Sequence, residues 1–385
     1  MQFIIKTILS IILLTLCLWA ANKASANRIA NSDIAKQLPT IITQNDRPFN
    51  GIIMVKRNNQ PLFTYISGDD VSLQSEFIIA SLSKQVTATL VLKAVDDGKL
   101  ALAQSANTYL GSNNTKNSHD NIPASVTISH LLSNTSGLVA AGKPPLFAPG
   151  SQFKYSNYGY ALLGEILENV NHQPITAQVN ALNLQADFGG LGAHIGKTST
   201  IKEAFPQLLL GRVETRHQQP DATDTSSYAA SDVEISQQLI SAGGMIASAD
   251  AYSHFQYALF TGQLISDKSL QDMTNIHSTR PHRWGALGYG YGTQISSIKG
   301  ITEYSHSGYL QGYVSLALYY PQSNVNVVIL ENTSWDLHDI KRTFGLHDKI
   351  RNSISSKLVA LEDRPVAKLY QAGKAAITAT LIAAK

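Results

Sequence analysis

The chain has 385 residues, of which 44% are hydrophobic and 15% are charged, so it carries enough apolar material for a large folded core. Its 30 lysines and arginines nearly balance its 27 aspartates and glutamates. No basic block or stripe stands out, which argues against a nucleic-acid partner.

The first 26 residues predict a cleaved signal peptide. Lys6 supplies a short positive region, an almost unbroken apolar stretch runs from Thr7 to Ala21, and Ala24 and Ala26 are the small residues that a signal peptidase reads. A membrane-spanning helix needs about 20 apolar residues, which argues against an uncleaved anchor. We therefore expect a periplasmic or secreted protein with no stable membrane anchor after cleavage. Cleavage also removes Cys17, the only cysteine, and with it any disulfide or cysteine metal site.

The mature part, residues 27–360, has strand patterns at both ends and helical patterns between them. Two strand-like runs, Gly51 to Lys56 and Leu62 to Ser67, precede a buried helix from about Ser81 to Asp97. Residues 100–288 have mainly helical patterns with polar loops, and strand patterns return from Gln294 to Glu331. These patterns predict an α/β protein of the α+β type. One sheet would be built from residues 27–80 and 289–360, with residues 100–288 inserted and 361–385 as a tail.

The sharpest local feature is Ser81-Leu82-Ser83-Lys84 at the start of the predicted buried helix. Residues three apart on a helix face the same way, so we expect Lys84 beside the Ser81 hydroxyl. A serine is a weak nucleophile unless a neighbouring base takes its proton, and a buried lysine can lose enough basicity to act as that base. The same four residues are also compatible with a capping serine and an ordinary surface lysine.

Two further motifs carry polar groups that could face one cleft. Tyr155 and Asn157 stand two apart in a polar loop that leads into a helical run, and so could present a phenol and an amide together. His306 and Gly308 lie at the end of a predicted strand, where a glycine lets the backbone approach a ligand closely. Taken alone, each motif also fits a turn, a cap or a structural histidine.

Together, the order S-x-x-K, Y-x-N and H-x-G resembles the penicillin-recognising serine hydrolases. This family comprises class C β-lactamases, D-alanyl-D-alanine carboxypeptidases and related esterases. The likeness extends to residues 77–85, 95–100, 127–138, 147–164 and 243–245, and covers about Ile52 to Asn332. The resemblance implies a β-lactamase/DD-peptidase-like fold, with a mostly antiparallel sheet flanked by helices and an inserted helical domain. It also implies that neither a metal nor an organic cofactor is needed.

The resemblance further implies an acyl-enzyme mechanism with three catalytic residues. Ser81 would attack a carbonyl carbon, and Lys84 and Tyr155 would act as general base and general acid. Water would then release the acyl group from Ser81. The backbone N–H groups of Ser81 and Tyr309 would form the oxyanion hole that stabilises the developing negative charge.

Substrate-binding residues are implied in the same way. Asn157 would orient the amide side chain of the substrate and help to fix Lys84. Gly308 and Tyr309 would line the site beside the reacting carbonyl. His306 would face the leaving group, where it would feed the proton network or bind a substrate carboxylate.

Three positions depart from the family pattern or leave it open. Many class C β-lactamases have lysine where this chain has His306, and a histidine with a pKa of about 6.5 is mostly neutral at pH 7. This weakens carboxylate capture and favours peptidase-like or esterase-like members. Arg283 is the nearest candidate for a carboxylate-binding cation. Asn134 stands where family members often have histidine, and we expect it to be structural.

The expected substrate is therefore a small molecule or peptide: a peptidoglycan-like amide, a β-lactam or an ester. Amide hydrolysis of the D-alanyl-D-alanine carboxypeptidase or β-lactamase kind is the leading hypothesis. An esterase of small acyl esters is the alternative, because the same fold and residues do not determine the substrate. A non-hydrolytic protein that binds penicillins or peptidoglycan fragments is a further hypothesis. No pattern in the sequence indicates an oligomeric state.

Overall fold

The computed structural model describes residues 31–111, 121–215 and 227–362. The predicted signal peptide and residues 363–385 of the predicted tail lie outside this part of the chain. Within it, the backbone forms two compact units, one of residues 31–46, 298–301 and 346–362, the other of residues 47–297 and 302–345. The predicted division into a sheet part and an inserted helical part stays a prediction.

Helices occupy both ends and the middle of the described chain. They are α1 (31–43), α2 (Ser83–Asp96), α3 (Asn107–Leu110), α4 (Ile128–Leu132), α5 (Asn157–Asn171), α6 (Ile175–Ala186), α7 (Thr198–Ala204), α8 (Gln237–Leu239), α9 (Ala249–Phe260), α10 (Asp267–Thr274) and α11 (Ile340–Glu362). A 3-10 turn, Ala80–Leu82, precedes α2, and a π-helical turn, Ile240–Gly244, follows α8.

The strands lie mainly before residue 80 and after residue 277. They are β1 (Gly51–Arg57), β2 (Gln60–Ser67), β3 (Glu76–Ile78), β4 (Leu191–Gly192), β5 (Gly196–Lys197), β6 (Gly211–Thr215), β7 (Ser227–Ser231), β8 (Glu234–Ile235), β9 (Ile246–Ser248), β10 (Ser278–His282), β11 (Gly285–Tyr289), β12 (Gln294–Ile298), β13 (Ile301–Leu310), β14 (Tyr313–Tyr320), β15 (Val325–Glu331) and β16 (Thr333–Ser334).

One large sheet joins the two ends of the chain. Its eight strands run in the order β10-β11-β12-β13-β14-β15-β1-β2. Strand β1 pairs antiparallel with both β2 and β15, and β14 pairs antiparallel with both β13 and β15. The predicted mixed fold with a mostly antiparallel sheet is confirmed.

Burial along the strands follows their place in the sheet. Every residue of β1, β14 and β15 is buried, as expected for central strands that are covered on both faces. Strand β2 lies at one edge and has exposed or half-buried residues throughout. The apolar runs that predicted β1 and β15 are therefore interior strands of the sheet, between β14 and the edge strand β2.

The C-terminal part of the sheet begins at Ser278 rather than at the predicted residue 289, because the hairpin of β10 and β11 belongs to the sheet. We expected this hairpin within the helical region. Its sequence includes Pro281 and several glycines and lacks a continuous run of β-branched residues. Pro281 is tolerated here because β10 is an edge strand, and prolines within sheets are mostly confined to edge strands.

The predicted buried helix is confirmed, but its α-helical part begins at Ser83 rather than at Ser81. Helix α2 is buried at most of its positions, and Gly98 follows it with φ +72°, a left-handed conformation that suits glycine at a helix end. Ser81 lies in the 3-10 turn just before α2. Across the described residues, no helix is both long and apolar enough to cross a membrane.

Candidate active site

Ser81 is held in a strained turn. Ala80, the residue before it, has φ +48°, in the left-handed region that non-glycine residues rarely adopt. The neighbouring bonds fix this conformation, since the Ile79 N–H donates to Met245 O at 2.9 Å and Ser83 Oγ donates to Ala80 O at 2.7 Å. Strain of this kind costs about 1–3 kcal/mol and typically occurs at functional sites.

Lys84 lies one turn further on and is fully buried, with 0% of its surface exposed. Its Nζ lies 2.6 Å from Ala242 O, 2.8 Å from Asn157 Oδ1 and 3.4 Å from Ser81 Oγ. Burial, and secondly the positive charge of Arg280, hold the pKa of Lys84 well below its usual value. The predicted proximity of Lys84 to Ser81 is therefore present, in an environment that favours the neutral amine.

Asn134 holds the backbone on both sides of Tyr155. The Lys154 N–H donates to Asn134 O at 2.8 Å and the Ser156 N–H donates to Asn134 Oδ1 at 2.9 Å, so both neighbours of Tyr155 are tied to it. This agrees with the structural role expected for Asn134. The Tyr155 hydroxyl is buried and makes no hydrogen bond of ordinary geometry within the described residues.

Two effects of opposite sign act on the acidity of Tyr155. Burial raises the pKa of its phenol to about 12, and the nearby Ser81 hydroxyl and the charge of Arg280 partly offset this rise. The phenol is therefore protonated near neutral pH. Its ring centroid lies 4.7 Å from Lys84 Nζ, so the ring faces the proposed base.

Asn157 is the first residue of α5, and its position depends on the helix cap. Ser156 is the N-cap, and its Oγ accepts the Gly159 N–H at 2.9 Å. Asn157 is exposed, yet its Oδ1 accepts a hydrogen bond from Lys84 Nζ. Its side chain therefore reaches both the buried amine and the surface from which a substrate would enter.

His306 is buried on β13 with only 1% of its surface exposed. Its Nδ1 lies 2.8 Å from Ser307 O, and because a carbonyl oxygen can only accept, Nδ1 carries the proton. Burial, then the proximity of Lys84 and Arg280, holds the pKa of His306 well below its usual value, so the ring is neutral. Its Nε2 accordingly accepts from the Tyr289 hydroxyl at 3.3 Å. Both nitrogens are engaged, which favours a place in the proton network over carboxylate capture.

Gly308 brings the backbone of β13 against the turn that carries Ser81. A Cβ atom at Gly308 would lie 2.8 Å from Ala80 Cβ and 2.9 Å from Ile79 O, closer than real Cβ contacts allow. Ser315 Oγ on β14 donates to the same Ile79 O at 2.9 Å, which fixes this approach. Tyr309, the predicted second oxyanion-hole donor, follows Gly308 directly on β13.

The sequence did not single out Arg280 or the Ala242 carbonyl. Arg280 lies on β10, with its Cζ 5.3 Å from the ring centroid of Tyr155. Arg283, the candidate from sequence, instead stacks over Trp284 at 4.5 Å and Phe344 at 4.2 Å. Reading residues 278–282 as a strand could have identified Arg280, because in an extended segment Ser278, Arg280 and His282 share one face.

The site therefore combines Ser81, Lys84, Tyr155, Asn157, His306 and the Gly308–Tyr309 backbone. Lys84 and Tyr155 offer an amine and a phenol whose proton affinities suit a base and an acid, and Ser81 lies within reach of the amine. Over the described residues, no group of three or more metal-ligating side chains is arranged to hold a metal ion.

Comparison with known proteins gives a family match over most of the chain. The family model described as Beta-lactamase matches residues 44–344. Protein flp from Staphylococcus aureus (strain NCTC 8325 / PS 47) is 27% identical over 184 residues, 40% of this chain and 36% of that protein. Esterase EstB from Burkholderia gladioli is 29% identical over 162 residues, 34% of this chain and 41% of that protein. The chain thus spans less than half the length of these curated relatives.

Solved structures share the fold at low sequence identity. A penicillin binding protein from Bacillus halodurans has a TM-score of 0.64 and 22% identity, covering 83% of this chain and 98% of that one. D-amino acid amidase from Ochrobactrum anthropi SV3 has a TM-score of 0.67 and 16% identity, covering 86% and 98%. These likenesses establish the fold and leave the substrate open.

Proposed function

The chain belongs to the beta-lactamase family of serine hydrolases, and on that premise we propose that it acts through an acyl-enzyme on Ser81. The activity we propose is amide hydrolysis of the D-alanyl-D-alanine carboxypeptidase or β-lactamase kind. The family match and the arrangement of Ser81, Lys84 and Tyr155 support the mechanism. The choice of substrate is a second and more specific part of the proposal.

The observation that carries the proposal is the buried amine of Lys84 next to the Ser81 hydroxyl. Ser81 Oγ lies 3.4 Å from Lys84 Nζ, and the pKa of Lys84 is held well below its usual value. A neutral amine can take the Ser81 proton as the oxygen attacks a carbonyl carbon. Asn157 Oδ1 and Ala242 O then stabilise the ammonium that forms.

The oxyanion that develops on the carbonyl would be stabilised by two backbone donors, the N–H groups of Ser81 and Tyr309. The close approach of Gly308 to residues 79–80 supports this assignment. Losing one such donor typically removes about 2.7–4 kcal/mol of transition-state stabilisation. The strained turn at Ala80 keeps the Ser81 donor in a fixed orientation.

Tyr155 is the proposed proton donor to the leaving group. Its phenol is protonated near neutral pH, since burial raises its pKa to about 12, and its hydroxyl has no competing hydrogen bond of ordinary geometry among the described residues. Proton transfer from the Lys84 ammonium to Tyr155 would restore both groups. Water would then attack the acyl-enzyme with the same base, releasing the acid and freeing Ser81.

The test is a time course of intact mass for the mature protein mixed with benzylpenicillin, with Ser81→Ala alongside. We expect an adduct of the penicillin mass that requires Ser81 and is absent from the variant. Slow decay of the adduct would indicate a peptidase, and rapid decay with penicilloate release would indicate a β-lactamase. An adduct that forms equally on Ser81→Ala, with the melting temperature unchanged, would overturn Ser81 as nucleophile.

Hydrolysis of small acyl esters is the second candidate, favoured by the neutral state of His306 and by the similarity to EstB. A neutral histidine offers no charge to a substrate carboxylate, which esters of this kind lack. The same preparation is assayed with a short-chain nitrophenyl ester. Turnover that depends on Ser81, without a penicillin adduct, would move the proposal from amides to esters.

A further inference from the structure

We propose that Thr87 is a positioning residue for the reaction, which acts by holding the Ala242 carbonyl against Lys84. Thr87 is fully buried on α2, about one helical turn after Lys84. Its role rests on the proposed function, in which Lys84 is the base that activates Ser81. The Thr87 hydroxyl would keep the lone pair of that base directed at the serine.

A neutral amine works as a base only if its lone pair faces the proton that it takes, and it has two N–H bonds beside that lone pair. Lys84 Nζ lies 2.6 Å from Ala242 O and 2.8 Å from Asn157 Oδ1, and both oxygens can only accept hydrogen bonds. They therefore take both N–H groups, and the lone pair is left for Ser81 Oγ at 3.4 Å. If Ala242 O moved away, an N–H would be free to turn towards Ser81 in place of the lone pair.

The Ala242 carbonyl belongs to a turn whose own hydrogen bonds do not fix it. Ala242 lies in the π-helical turn Ile240–Gly244, which follows α8. Single π-helical turns are rare and occur frequently at functional sites. The last carbonyls of a helical segment have no partner within it. The direction of Ala242 O therefore depends on the elements that pack against the turn.

Helix α2 holds this turn on both sides of Ala242 through two hydroxyl groups. Thr87 Oγ1 donates to Ser241 O at 2.8 Å, and the Met245 N–H donates to Ser83 Oγ at 3.1 Å. Ser83 and Thr87 are four residues apart, so they lie on the same face of α2. The peptide groups before and after Ala242 are thus tied to the helix that carries Lys84.

Burial makes the Thr87 hydrogen bond hard to replace. Thr87 is 0% exposed, and Ser241 and Ala242 are each 1% exposed. A carbonyl at this depth has no bulk water to turn to, and buried carbonyls are nearly always hydrogen-bonded. Without the hydroxyl, the peptide that joins Ser241 to Ala242 would rotate towards another donor, and Ala242 O would leave Lys84.

The test is Thr87→Val, which removes the hydroxyl and keeps the branched shape of the side chain. A misplaced catalytic group slows the chemical step without weakening substrate binding, so kcat for a neutral nitrophenyl ester should fall by about 10- to 100-fold with KM unchanged. Thr87→Ser keeps the hydroxyl and should restore most of the rate. If the valine prevents folding, Thr87→Ala carries the same test, because a smaller side chain cannot overpack the site.

A pH profile distinguishes this role from a general loosening of the fold. Each acceptor that contacts an ammonium stabilises it, so loss of the Ala242 O contact should move the midpoint of the kcat/KM profile to lower pH. The other titratable and charged groups around the amine are the same in the variant: Tyr155 before α5, Tyr160 on α5, Arg280 on β10 and His306 on β13. A shift of the midpoint therefore reports the contact between Lys84 and Ala242.

Thr89→Val is the matched control, because Thr89 is also 0% exposed on α2 but its Oγ1 donates to Gln85 O of the same helix, at 2.8 Å. It should keep the wild-type kcat and midpoint. The inference is overturned if Thr87→Val keeps the wild-type kcat, if its midpoint stays or rises, if Thr87→Ser is equally slow, or if Thr89→Val loses as much. Absence of Ser81-dependent hydrolysis by the wild type would instead overturn the proposed function.

Discussion

Lys84 shows how burial decides the chemistry of a single side chain. Its Nζ contacts a hydroxyl, an amide oxygen and a backbone carbonyl, and none of these carries a charge that would stabilise an ammonium ion. The nearby charge of Arg280 has the same sign as an ammonium and lowers the pKa of Lys84 further. The same residue on an exposed helix would remain charged at neutral pH.

A pH dependence follows from the lowered pKa of Lys84. With a neutral ester substrate, kcat/KM should rise with pH as Lys84 loses its proton, with a midpoint well below the pKa of free lysine. Of the titratable groups near Lys84, Tyr155 loses its proton only near pH 12, and His306 is already neutral. The measurement is a pH profile of kcat/KM.

Lys84→Met provides the control for this profile. It should lower kcat about as much as Ser81→Ala does, because the two residues act as a unit. A mild loss of activity with the rising limb unchanged would assign the base role to Tyr155 alone. A melting temperature recorded for each variant separates loss of chemistry from loss of folding.

At the scale of elements, the site depends on how closely β13 approaches the turn before α2. Gly308→Ala would introduce a Cβ that meets Ala80, Ile79 O and Ser315 Oγ, and so would push the Tyr309 backbone away from Ser81. A displacement of about 1 Å in a catalytic group can reduce the rate by about 100-fold. We therefore expect kcat to fall by about this factor, measured with either substrate class.

Gly345→Ala is the matched control for this substitution. Gly345 lies in α11, and a Cβ there would meet no atom within 4 Å. Replacing a helix-interior glycine with alanine should stabilise the fold by about 0.5–1 kcal/mol and leave kcat unchanged. If Gly308→Ala retained wild-type kcat, the oxyanion-hole assignment of Tyr309 would be wrong.

Elements differ in how well the sequence predicted them. Helix α2 and strands β1 and β15 were predicted because they contain long apolar runs, and nearly all of their residues are buried. The hairpin of β10 and β11 was not, since an edge strand with polar residues and a proline has no hydrophobic pattern to mark it. Arg280 was missed for the same reason, because it lies on that hairpin.

At the scale of the whole molecule, export is a separate proposal, because residues 1–26 lie outside the described part of the chain. Expression of the full chain in a Gram-negative host should yield a periplasmic protein whose N-terminus, measured by mass, is Asn27. Ala26→Phe should block cleavage, because the peptidase reads a small residue there, and Ala26→Ser should be cleaved normally. A cytoplasmic product that keeps residues 1–26 would contradict the proposal.

The sequence by itself predicted the family-level fold and the proximity of Ser81 to Lys84, because those depend on local spacing and strong hydrophobic patterns. A separation of three residues puts Ser81 and Lys84 on one helical face wherever the helix lies. The tertiary structure alone decided that burial lowers the pKa of His306, that Arg280 rather than Arg283 contacts Tyr155, and that Ala242 supplies an acceptor to Lys84. These facts depend on burial and on distances between segments far apart in the chain, which no local pattern records.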